Sequence, residues 1–141
     1  MAKTSGLGSV VVVDDSSGTT KTISNDITNY DISTPRGVQD VTGVDKSAEE
    51  RILLLADFSV TLNGVANFAS GNSHDVSKTV PSTSVNRTTS LSPIGTTTGN
   101  PLLACEVLYT DYKLTRSNSG ELTWQAPGSL ADGTVPTWST N

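Results

Sequence analysis

The clearest pattern in the chain is an alternation with period two. Phe58, Val60 and Leu62 point one way, and Asp57, Ser59, Thr61 and Asn63 the other, until Gly64 ends the run. This predicts a strand with one buried face. Leu103, Cys105, Val107 and Tyr109 alternate with Ala104, Glu106, Leu108 and Thr110, and the pattern continues through Tyr112 and Leu114. After the turn residues Ser117-Asn118-Ser119-Gly120, Glu121 to Ala126 returns with Leu122 and Trp124 on one side, so the two runs predict a long β-hairpin that Pro127 and Gly128 break. Four consecutive valines, Val10, Val11, Val12 and Val13, predict a strand buried on both faces or at an interface. Asp14 to Gly18 is turn chemistry, and Thr20 to Ser24 completes a first hairpin.

The other segments carry weaker patterns. Ile27, Tyr30 and Ile32 suit a short strand closed by Pro35 and Gly37, and Val38 to Val44 alternates loosely. Ser47-Ala48-Glu49-Glu50 fits a capping box, and Ala48 to Leu55 is rich in good helix formers, which predicts the one short α-helix over about residues 47–55. Two turns of helix persist only when packed against a sheet. Residues 67–82 read as loop with a helical turn near Ser73 to Lys78. Ser84 to Leu91 reads as a Thr-rich strand, Ser92 to Pro101 as a polar loop, and Val135 to Trp138 as a short last strand. The expected fold class is mainly β, an antiparallel β-sandwich or barrel with one short helix. Residues 1–8 form a flexible N-terminal arm and residues 9–141 a single domain.

Composition sharpens this picture. With 19 Ser and 21 Thr among 141 residues, plus 12 Gly and 6 Pro, long helices are disfavoured. The longest wholly apolar run, Ile52 to Ala56, is far shorter than the roughly 20 residues of a membrane span. The opening residues lack the apolar stretch of a secretory signal. A net charge of −5 argues against a nucleic-acid grip, which needs a basic surface.

No constellation points to catalysis, a metal or another cofactor. His74 is the only histidine, and no Gly-x-Ser-x-Gly elbow accompanies it. Cys105, the only cysteine, lies on the Leu103–Val107 side of its strand and reads as a small buried hydrophobe. The carboxylates Asp14, Asp15, Asp40, Asp45, Glu49, Glu50 and Asp57 do not have calcium-loop spacing and read as turn and helix-start charges. Asn86-Arg87-Thr88 is a chance glycosylation match in the absence of a signal. Trp124 and Trp138 could stack sugars in a carbohydrate-binding module, though a core Trp is the commoner role. The expectation is an assembly or binding protein, not an enzyme.

The run from Asp45 to Gly64 resembles the middle of the major tail (tail tube) proteins of long-tailed bacteriophages, where a short helix leads into a long alternating strand ending in Asn-Gly. Glu106-Val107-Leu108-Tyr109-Thr110-Asp111-Tyr112-Lys113-Leu114 and Ser119-Gly120-Glu121-Leu122-Thr123-Trp124 are similar to that family's late strands, and Thr4 to Gly8 to the start of several phage structural proteins. The likeness runs from about Val38 to Trp138. It implies a structural virion protein whose subunits form rings, typically hexameric, that stack into a hollow tube with other tail proteins. DNA would pass transiently through the channel without sticking. Localisation would be the virion tail, with assembly in the host cytoplasm. A tail terminator, head–tail connector or decoration protein is the alternative within the same resemblance.

On that reading the acidic residues Asp57, Glu106 and Glu121 are candidates to face the channel, where they would repel phosphates. Val10 to Val13 is a candidate exposed edge for pairing between subunits. The arm and the Ser92–Pro101 loop, including Pro93, are candidate stacking segments that order on assembly.

Overall fold

The structure, a computed structural model, describes residues 3–141, so Met1 and Ala2 of the expected arm lie outside the described residues. Eleven strands form among the described residues: β1 (Val10–Asp14), β2 (Thr20–Thr22), β3 (Ile27–Ser33), β4 (Arg36–Asp40), β5 (Arg51–Ala56), β6 (Ser59–Val65), β7 (Arg87–Ser92), β8 (Pro101–Tyr109), β9 (Lys113–Arg116), β10 (Leu122–Leu130) and β11 (Trp138–Thr140). One α-helix, α1 (Ser73–Ser77), and a 3-10 turn at Ser24–Asp26 complete the secondary structure. The predicted β1–β2 hairpin forms. The Asp15 carboxylate accepts backbone N–H bonds from Ser17 and Thr19 at 2.9 Å, and Gly18 takes a φ of +82° that a side chain would resist.

Nine strands share one antiparallel sheet in the order β2-β1-β7-β8-β10-β6-β3, with β11 added to β8 and β9 to β10. The sheet doubles over at the narrow seam where Val107–Tyr109 pair with Gly128–Leu130. One layer is β2-β1-β7-β8-β11 and the other β3-β6-β10-β9. Their inner faces meet in one core, with Val11, Val13, Leu91, Leu103 and Val107 against Val60, Leu62, Trp124 and Ala126. Among the described residues the sheet does not close, so the mainly-β sandwich form of the expectation stands and the barrel form does not.

Three local expectations need correction. The segment at 47–55 is not helical: Arg51–Ala56 is β5, and the single helix lies at Ser73–Ser77, where the sequence showed only a helical turn. Pairing with β4 outweighs the local cap signal. The N–H of Glu50 donates to Thr42 Oγ1 at 2.8 Å, and the Arg36 guanidinium donates to Leu54 O at 2.7 and 3.0 Å.

Second, Pro127 and Gly128 do not end the late strand. β10 runs on to Leu130, because Pro127 still offers its carbonyl to Thr110 N at 3.1 Å, and a Cβ on Gly128 would lie 2.5 Å from Val107 Cγ1. The long hairpin is present, with Thr110–Tyr112 interrupting it between β8 and β9. Third, β1 is not a free edge. It is hydrogen-bonded to β7 along Val10–Val13 and to β2 along Val12–Asp14, so its valines alternate between core and outer face.

Gly64 is where β6 and the Ser24–Asp26 turn approach most closely. A Cβ there would sit 1.7 Å from the Asp26 carbonyl oxygen and 2.9 Å from Trp124 Nε1, which itself donates to Val65 O at 3.1 Å. Gly64→Ala should therefore cost about 3 kcal/mol in a denaturant titration. An unchanged midpoint would mean that the turn can move aside freely.

Candidate functional site

The polar residues that the sequence offers for chemistry serve the fold. Asp26 is buried and accepts from Asn67 Nδ2 at 2.8 Å and from Ser73 N at 3.0 Å, which ties α1 to the 3-10 turn. His74 packs edge-on to Phe68, and its Nδ1 lies 3.0 Å from the Tyr112 hydroxyl. Its neighbour Asp75 binds Lys78 at 2.7 Å, which holds that carboxyl below the usual range. Cys105 is buried as expected, and burial pushes its thiol up, away from the reactive thiolate. Trp124 is enclosed in the core and cannot stack a sugar, whereas Trp138 is half-exposed on β11.

The feature that the fold does not explain is the β4–β5 hairpin. It forms a separate two-stranded sheet outside the core, and the side chains of β4 and β5 are exposed almost throughout. Alternation puts Ile52 and Leu54 on one face. Leu53 and Leu55 lie on the other with Val38, which is the register partner of Leu53. Ile52 is 48%, Leu53 58% and Leu55 89% exposed, so both faces present apolar surface to water. The hairpin is nonetheless held in shape by its own hydrogen bonds. Thr42 donates from its N and Oγ1 to the Asp40 carboxylate at 2.9 and 2.5 Å, and these bonds hold that carboxyl below its usual range. Residues 40–50 carry Asp40, Asp45, Glu49 and Glu50 against Lys46 alone.

Two more surfaces matter. The outer face of the β3-β6-β10-β9 layer is a carpet of small polar residues. The register sets Lys113, Gln125, Asn63 and Asn29 in one row, Pro127, Thr61 and Asp31 in the next, and Ser129, Ser59 and Ser33 in a third. Asp31 and Lys113 are its only charges. The layer also has two free edges. Among the described residues β3 pairs only with β6, and β9 only with β10.

The residues expected to act together do not share a surface. Asp57 lies in the β5–β6 connection, where its carboxylate accepts from Phe58 N at 2.8 Å. Glu106 is on β8 in the other layer and takes a hydrogen bond from Thr88 Oγ1. Glu121 precedes β10 at the far end of that strand, so the three carboxylates are not gathered on one face. The Ser92–Pro101 loop is held within the single chain. Ser92 is buried, and Asn141 Nδ2 reaches the carbonyls of Asn100 and Gly95 at 3.2 and 3.4 Å. Pro93 O accepts from Ser9 Oγ at 2.6 Å, and Pro101 pairs with Thr140.

No protein-family model matches the chain, and no curated protein sequence is significantly similar to it. The fold is shared with solved structures. A chain in the virion of a native gene transfer agent particle superposes with a TM-score of 0.67 at 15% identity, over 93% of this chain and 95% of that one. A chain in the tail of an empty gene transfer agent particle, described with C6 symmetry, also gives 0.67, at 17% identity over 94% of each chain. The likeness covers both layers. Among the described residues no helix is long and apolar enough to cross a membrane.

Proposed function

We propose that this chain is a structural, non-catalytic protein of a phage-like virion tail, whose copies close into rings and stack as a tube. The observation that carries this reading is the β4–β5 hairpin, apolar and exposed on both faces. A two-fold dimer would cover one face and leave the other wet. Covering both requires the hairpin to enter between neighbours through contacts that are not self-complementary. Such contacts close into rings or continue as filaments.

The layer edges supply a route to the ring. β3 is seven residues long with one charge, Asp31, and neither Lys nor Pro to discourage an added strand. Joining β9 of one copy to β3 of the next would extend the four-stranded layer around an axis. The C6 description of the similar tail favours six copies, hence 24 strands. At about 4.8 Å per strand that is a circumference of about 115 Å and a diameter of about 37 Å, widened further by strand tilt. Such a barrel is hollow.

Its channel would then be lined by the carpet of Ser, Thr, Asn and Gln rather than by Asp57, Glu106 and Glu121. Asp31 and Lys113 offset each other on that face, so a polyanion meets no basic patch to hold it. The tail of the virion is the corresponding location, with assembly in the host cytoplasm. Residues 1–8 and the Ser92–Pro101 loop are secondary contacts in this reading.

Negative-stain electron microscopy and sedimentation velocity of the purified chain across a concentration series test it. Rings or stacked tubes are expected, with a critical concentration. A monodisperse monomer up to the solubility limit would sink the reading and favour a monomeric binding module, with Trp138 its available aromatic.

A further inference from the structure

We propose that the end of the β3-β6-β10-β9 layer carrying β9 is the seat for the β4–β5 hairpin of the next copy. This rests on the assembly reading above and adds where the hairpin goes. The hairpin leaves the layer between Ser33 at the end of β3 and Ser59 at the start of β6, which are register partners, and Ser59 also faces Ser129 near the end of β10. β9 lies at the opposite end, against Leu122–Gln125, where Val65 faces Thr123. The seven residues of β6 separate the two ends by about 20 Å. A copy displaced along the strand direction therefore brings its hairpin to the β9 end of its neighbour.

The two ends match in charge and in apolar surface. The distal hairpin, with four carboxylates against Lys46 and Arg51, is acidic. Lys46, Arg51 and Lys78 each have a carboxylate within 4 Å, whereas among the described residues Lys113 and Arg116 have none. Lys113 and Arg116 lie on opposite faces of β9, so a cation is available to either side of an incoming hairpin. Glu121 is the one acid in the adjoining turn. Exposed Val65, Phe68 and Leu114 supply the apolar counterpart to Ile52–Leu55 at the same end. Complementary potentials of this kind fix orientation and suppress wrong contacts.

Charge reversal in the full chain tests the seat. Lys113→Glu with Arg116→Glu, or separately Glu49→Lys with Glu50→Lys, should raise the concentration needed for stacked tubes about tenfold, and the Glu49 and Glu50 pair, which lies outside β9, should leave single rings intact. All four substitutions in one chain should restore stacking. If wild-type chain assembles and the reversals leave its tubes unchanged, or the fourfold variant stays as impaired as either pair, the seat is elsewhere and the assembly reading survives. If wild-type chain forms neither rings nor tubes, the assembly reading falls and the seat with it.

Discussion

Leu54→Asp, and independently Leu53→Asp on the opposite face, should leave a folded protein that forms no stacked tubes, while single rings joined through β9 and β3 persist. Neither side chain belongs to the core, and both are exposed in the single chain, so the thermal midpoint should move by no more than about 2 °C. In an assembly that covers the hairpin the same change loses about 2 kcal/mol of apolar burial and strands a carboxylate in a dry contact. That raises the assembly concentration by at least about 100-fold. The pair of variants carries the argument better than either alone. If only one blocks assembly, only one face of the hairpin is covered and a dimer becomes sufficient. If both assemble at the wild-type concentration, the hairpin is not an interface. Circular dichroism on the same samples separates lost contacts from lost fold.

The second large effect lies at Arg87, a guanidinium that is 2% exposed and has no carboxylate partner within 4 Å among the described residues. Nη1 donates to Val76 O at 2.7 Å and to Asp14 O at 3.3 Å, and Nη2 donates to Thr79 Oγ1 at 2.9 Å. Val76 O belongs to the last turn of α1, where carbonyls lack helical partners, so Arg87 both closes the helix and ties it to the β1–β2 turn. Burial pushes the guanidinium down from its ordinary value. It also pushes the nearby Tyr109 phenol up to about 12, although Thr89, 2.8 Å away, hydrogen-bonds it. Arg87→Ala should cost about 4 kcal/mol, from the cavity and from acceptors left dry. Arg87→Met keeps most of the volume and should still cost about 2 kcal/mol, because the carbonyls remain unpaired. A Met variant as stable as wild type would show that water replaces the guanidinium and that its hydrogen bonds contribute little.

What could be read from the sequence follows a physical line. β6, β8 and the first half of β10 each bury one face, and a single buried face imposes period two on one strand by itself. The β1–β2 hairpin was legible because Asp15 and Gly18 are turn chemistry on any fold. The strand from Arg51 to Ala56 was not legible because the cap residues and leucines from Ser47 on satisfy helix rules locally, whereas the forces that set it are Arg36 of β4 and Thr42, two residues beyond β4, across the hairpin. One signal was available. Ile52 to Ala56 is apolar at every position, which suits a strand covered on both faces better than a two-turn helix with one. Asp57 and Glu106 sit on the polar side of alternating runs in the sequence, and alternation does not tell which layer a strand joins. Glu106 does point outward, but from the layer of β8 rather than that of β6. The neutral face emerges only when four strands distant in sequence are set in register.

The placement of the hairpin at one end of its layer and of β9 at the other gives the molecule a direction. Copies joined by translation make an arrow with unlike tips, one showing bare hairpins and the other bare basic strands. Growth at the two tips need not proceed at the same rate, and no single plug can stop both. A protein that caps one tip must imitate a hairpin, and one that starts from the other must imitate a seat, so the length of such a filament could be controlled at each tip independently.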